Sequence, residues 1–197
     1  MSGDTHAVVG ATSALVIARP TTWSDAIFCL VFGAVGGLLL DIDIKQSKGS
    51  QLIRMLSIPL LFYIGIGFYF LKFQNINIFS FFSNQLNGKS LLSILLFIVL
   101  CIYASHTAHR KFTHSIEFIG MTSILYYMMG FPFALSVITG EVSHIVIDLL
   151  NKSEVRLSCI FQFDFCMNLV SSDGICNRIL KMIATVIGIV LLFVYLI

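Results

Sequence analysis

Histidines and aspartates are the residues of this chain equipped for chemistry. His6, His106, His109, His114 and His144 each fall at or near the end of an apolar segment, and Asp41, Asp43 and Asp148 lie near such ends too. Imidazole nitrogens and carboxylate oxygens form the donor set of a zinc-type ion, and ionisable groups at membrane depth are costly unless they face a partner or a wet cavity. In LLLDIDIKQS, Asp41 and Asp43 stand one residue apart where an apolar run stops. Such a pair ligates one ion, bridges two, or simply caps the following turn. SHTAHRKFTHSIE packs His106, His109 and His114 into a short polar stretch beside Arg110, Lys111 and Glu117. In GEVSHIVIDLL the spacings Glu141 to His144 and His144 to Asp148 put three polar groups on one face of a helix. His6 has the weakest individual case and gains weight from its place in the topology.

The elements that position these residues are membrane helices. The 197 residues are 57% hydrophobic and 11% charged, with a mean hydropathy of +0.94, too little polar surface to cover a water-soluble globule. The apolar stretches are continuous rather than alternating, which points to an all-α, multi-pass transmembrane bundle and away from a β-barrel. Seven runs are candidates, 6–18, 26–40, 55–71, 91–104, 116–129, 133–150 and 179–197, giving about six or seven membrane segments in one integral domain spanning 1–197. Several fall short of the roughly 20 residues a perpendicular span needs. Gly130 and Pro132 separate two helices by a tight connection. The stretch 72–90 reads as an outer connection, and 155–165 alternates apolar and polar residues as an extended segment with one apolar face.

Lys and Arg orient the bundle. With a cytoplasmic N-terminus, nine of them fall on inner loops, and only Arg19, Lys72 and Lys89 fall outside. That assignment puts His6, Asp41, Asp43, His109, His114, His144 and Asp148 on one side. The net charge of +2 comes without a basic patch, so no nucleic-acid partner is expected. Five cysteines without a CxxC pair read as structural, and the MSGDTH start does not read as a cleaved signal peptide.

THAVVG, LLLDIDIKQS, AHRKFTHS and GEVSHIVIDLL, taken in order, resemble the bacterial YdjM-like family of membrane-bound, metal-dependent hydrolases. The likeness covers residues 3 to about 160. It implies that His6, Asp41, Asp43, His109, His114, His144 and Asp148 are the metal-binding positions, and a distant kinship with zinc-dependent phospholipase C and related nucleases. Two departures stand out: Ile44 where the family reads histidine in DIDH, and Lys111 where HRGxTHS has glycine.

The expectation is therefore a bacterial inner-membrane hydrolase with a metal centre at the cytoplasmic face. Zinc fits the mixed nitrogen and oxygen donors, as one or two ions, with manganese or iron as alternatives. Glu117 or Glu141 would serve as general base, Arg110 or Lys111 would hold an anionic phosphate, and a phospholipid or lipid-linked phosphate would be the substrate. The competing class is a membrane transporter or binding protein for a divalent ion.

Overall fold

The computed structural model describes residues 1–53, 55, 88–171 and 174–196. The apolar run 55–71 and the connection 72–90 therefore lie almost wholly outside the described residues. Among those described, the apolar runs become α1 (Gly3–Ala18), α2 (Trp23–Leu39), α3 (Gly88–Ala104), α4 (Ile116–Met129), α5 (Ala134–Leu149) and α6 (Ile175–Leu196). Local chemistry sets several ends. Thr22 and Ser115 are N-caps whose hydroxyls accept from Asp25 N and Phe118 N, while Gly130, at a φ of 66°, closes α4 in the left-handed conformation. Two apolar stretches of 21 residues, Trp23–Asp43 and Ile175–Tyr195, are long enough to cross a membrane, and Leu92–Ala104 and Ile116–Met129 are shorter.

Glycines let α1, α2 and α5 approach backbone to backbone. A Cβ on Gly37 would lie 2.3 Å from the His6 carbonyl oxygen, and one on Gly36 would lie 2.1 Å from that of Val137. No side chain fits in either place. Small residues are what allow apolar helices to pack this closely when hydrophobic burial does not drive association. The contact also fixes the register of α1 and α5 against α2, which brings His6, His144 and Asp148 to the end of α2. There the helix tightens into a 3-10 turn, Leu40–Asp43, that carries Asp41 and Asp43.

α6 leans on α1 through Thr12, whose hydroxyl donates to the Ala184 carbonyl at 2.9 Å. Its other faces expose Met182, Val186, Phe193 and Val194, an apolar surface suited to lipid. Replacing Thr12 by valine is expected to lower stability by only about 0.6 kcal/mol, the average for an interhelical hydrogen bond in a membrane bundle. Unfolding in a mixed-micelle titration measures it.

The all-α expectation needs one amendment. Residues Val155–Ser158 (β1) and Phe163–Phe165 (β2) pair antiparallel, with Arg156 opposite Asp164. Alternation in 155–165 thus marks a two-stranded hairpin, whose Arg156 and Asp164 join through contacts of 2.7 and 2.8 Å. Main-chain hydrogen bonds tie the hairpin and the segment after it to the site: Arg156 N donates to Arg110 O at 2.9 Å, and Met167 N to Leu149 O at 2.8 Å.

Candidate metal centre

His114 and His144 meet at the centre of the site, with both rings fully buried and their Nε2 atoms 3.2 Å apart. Their other nitrogens decide what this means. His144 Nδ1 lies 2.7 Å from the Gly37 carbonyl, which can only accept, so Nδ1 carries a proton, and in the neutral ring Nε2 is the bare nitrogen. For His114 the argument takes one more step. The single hydroxyl proton of Thr113 goes to Asp43 Oδ2 at 2.9 Å, so Thr113 accepts from His114 Nδ1, also at 2.9 Å. His114 Nε2 is therefore bare as well, and burial holds the His114 pKa below its ordinary value, favouring the neutral ring.

Two lone pairs thus face each other, and carboxylates add more. Asp41 Oδ1 lies 3.8 Å from His114 Nε2 and 3.6 Å from His144 Nε2, and Asp148 Oδ2 lies 3.6 and 3.8 Å from the same two atoms. Asp148 is already braced by cations, the Met1 ammonium at 2.9 Å from its Oδ1 and the Arg110 guanidinium at 3.3 Å from its Oδ2. The two Nε2 atoms and Asp41 Oδ1 form a buried donor set that a further cation would suit. Donors on a tetrahedral ion with bonds of about 2.0–2.1 Å stand roughly 3.3 Å apart, close to the triangle of Asp41, His114 and His144. The residues present fit a divalent ion, and the fixed Nδ1 partners are the outer support a metal-binding histidine requires.

Around this centre the remaining sequence-derived ligands take distinct places. His6 stacks on His144 with ring centroids 3.7 Å apart, and its Nε2 lies 3.2 Å from Asp148 Oδ1. Its Nδ1 is buried without a hydrogen-bond partner among the described residues. His109, partly exposed, holds Asp43 Oδ1 through Nδ1 at 3.0 Å. Three overlapping groups able to hold an ion result: His6, His144 and Asp148; Asp41, His114 and His144; Asp43, His109 and His114. All seven residues that sequence reasoning selected as ligands fall in them. His106 does not, since its Nδ1 turns to the Ile102 carbonyl at 2.8 Å.

The three residues assigned to catalysis divide differently. Arg110 reaches the site, with a guanidinium nitrogen 3.3 Å from Asp148 Oδ2 and a buried Nε that has no partner among the described residues. Glu117 does not, because its carboxylate accepts from Ser158 Oγ at 2.5 Å and from Cys159 N at 3.1 Å in the hairpin. Glu141 is also turned away: although it shares a helix with His144 and Asp148, Thr122 Oγ1 and Tyr126 OH each donate to it at 2.9 Å. Both glutamates, expected as candidate general bases, accept hydrogen bonds away from the His114 and His144 pair. Replacing Glu117 by alanine should leave metal content unchanged and loosen the hairpin, read as faster amide exchange at Cys159 and Ile160.

Sequence reasoning missed Thr113, Asn151 and the Gly37 carbonyl. Asn151 donates to Asp148 Oδ1 at 2.9 Å, and the cue was its i,i+3 spacing from that aspartate. Thr113 carried the cue of standing between Asp43's partner loop and His114. Gly37 offered only the run Gly33, Gly36 and Gly37 in an apolar helix. Neither a curated protein nor a solved structure matches the chain. The YdjM inner membrane protein family model matches residues 1–197, and this chain, an inner membrane protein, belongs to that family.

Proposed function

We propose that this protein is a metal-dependent hydrolase that releases phosphate from a phospholipid or lipid-linked phosphate at the inner face of the membrane. The observation that carries the reading is the bare His114 and His144 Nε2 pair, 3.2 Å apart, flanked by Asp41 and Asp148. A divalent ion there, zinc by its donor set, lowers the pKa of a bound water to the neutral range and polarises a phosphoryl oxygen. Asp41, His114, His144 and Asp148 would hold it, and His6 completes the wall around Asp148. His114 has one free lone pair, so one ion fits the resting geometry more simply than two.

The chain's own groups supply the rest. Arg110, whose guanidinium stands 3.3 Å from Asp148 Oδ2, would neutralise the phosphate. His109 replaces the glutamates as proton acceptor: Asp43 fixes its Nδ1, leaving Nε2 at the exposed edge. Water adds to phosphorus, its proton passes to His109, and the bond from phosphorus to the lipid oxygen breaks. The leaving oxygen takes up a proton and departs as the lipid alcohol. Six or seven spans, a single domain over 1–197 and a cytoplasmic N-terminus are the topology that goes with this reading.

A divalent-ion transporter would use the same ligands but needs polar positions continuing across the bundle. Among the described residues, Glu141 is the buried acid nearest along α5, and its two acceptor oxygens are engaged by Thr122 and Tyr126. The test uses purified protein in vesicles of phosphatidic acid, with zinc or with chelator. Zinc-dependent release of inorganic phosphate supports the hydrolase. Bound zinc with no release from this lipid or a polyprenyl phosphate, together with zinc flux across the vesicle, would replace it with transport.

A further inference from the structure

A cavity of about 170 Å³ is walled by Phe32, Val35 and Leu39 of α2, Phe97 of α3, Tyr126 of α4 and Val137 of α5. Every one of these walls is apolar. Tyr126 does not interrupt them, because its hydroxyl is bound to Glu141 and it contributes only its ring. An apolar cavity of this size stays dry and accepts apolar guests rather than water.

Its direction relates it to the site. Phe32, Val35 and Leu39 follow one face of α2 at i, i+3 and i+7, so the slot runs about 10 Å along the helix. Leu39 closes it at the end where the 3-10 turn begins, two residues before Asp41. The cavity is partly open and lies within helices whose outer surfaces are apolar, as Ile27 and Val31 of α2 illustrate at 56% and 50% exposure. The Leu39 end of the slot thus adjoins the turn that carries Asp41, one of the candidate metal ligands.

We propose that the slot binds one acyl chain of a membrane lipid and aims that lipid's phosphate at the His114 and His144 pair. This rests on the hydrolase reading for the role of the phosphate, but the slot itself can be tested apart from it. Filling the slot from opposite walls, by Val35→Phe or Val137→Phe, blocks the chain without touching any proposed ligand.

The protein in nanodiscs is irradiated with a phosphatidic acid carrying a diazirine at the end of its acyl chain, and labelled residues are mapped. Label is expected within 32–39 and 126–137, falling about tenfold in each Phe variant while metal content stays at the wild-type level. In parallel, turnover of long-chain phosphatidic acid should drop about tenfold and turnover of the dibutyryl form should hold within about twofold. Label confined to outward positions such as Ile27 and Val31, or slot label unchanged by both variants, overturns the proposal. The two readings fail separately: slot label without phosphate release keeps the slot and removes the hydrolase, while release without slot label removes the slot alone.

Discussion

Purified His144→Ala protein should contain no stoichiometric zinc under conditions where the wild-type chain holds it. His144 is fully buried, its Nδ1 is fixed by Gly37, and its Nε2 belongs to two of the three ion-holding groups, so alanine takes a donor from both. The loss should exceed the roughly 10–100-fold drop in affinity that follows when only an outer support is removed. Thr113→Val supplies that milder case. Without the hydroxyl, nothing holds the proton on His114 Nδ1, and zinc affinity should fall within that range. His106→Ala is the control, since its imidazole serves the Ile102 carbonyl. Zinc measured by elemental analysis after dialysis decides the matter; wild-type levels in His144→Ala would end the metal-centre reading.

A leucine at position 37 should be as damaging as the loss of a ligand, although glycine binds nothing through a side chain. Its Cβ alone would stand 2.3 Å from the His6 carbonyl oxygen, a contact with backbone that no rotamer relieves. α1 must move away from α2, and His6 moves with it, parting from Asp148 and from the His144 ring. Overpacking of this kind costs about 1–3 kcal/mol, and Gly37 falls at the upper end because the neighbour is backbone. The expected result is a lowered unfolding midpoint in detergent together with lost zinc. Leucine at Gly120, where a Cβ meets nothing within 4 Å, should change neither, which separates close packing from a general intolerance of large residues. Normal zinc content in Gly37→Leu would show that the approach of α1 to α2 does not set the site.

Much of the site was legible because of what membranes penalise. An imidazole or carboxylate among apolar residues must have a reason to be there, so each of the seven ligand candidates stood out one at a time from His6 to Asp148. Charge bias then put them on one side before any geometry was known. Helix spans were read for a similar reason: the run 116–129 matches α4, and Gly130 marks its end, because one αL residue and one proline are local events. The glutamates show where local reading stops. Glu141 shares a helix face with His144, yet which neighbour its carboxylate meets depends on α4, whose Thr122 and Tyr126 lie 19 and 15 residues away. Glu117 sits within three residues of His114 and still turns to a hairpin some forty residues on.

Amino-acid order alone pointed to the solvent, the helical class and the histidines and aspartates that converge, since each follows from the cost of placing one residue type in hydrocarbon. Tertiary structure alone decided which lone pairs are bare, which acid belongs to the centre and how closely the helices approach. Those outcomes turn on single hydrogen bonds to Gly37 and Thr113 and on backbone contacts at glycines that carry no side chain, and such contacts join residues far apart in the chain.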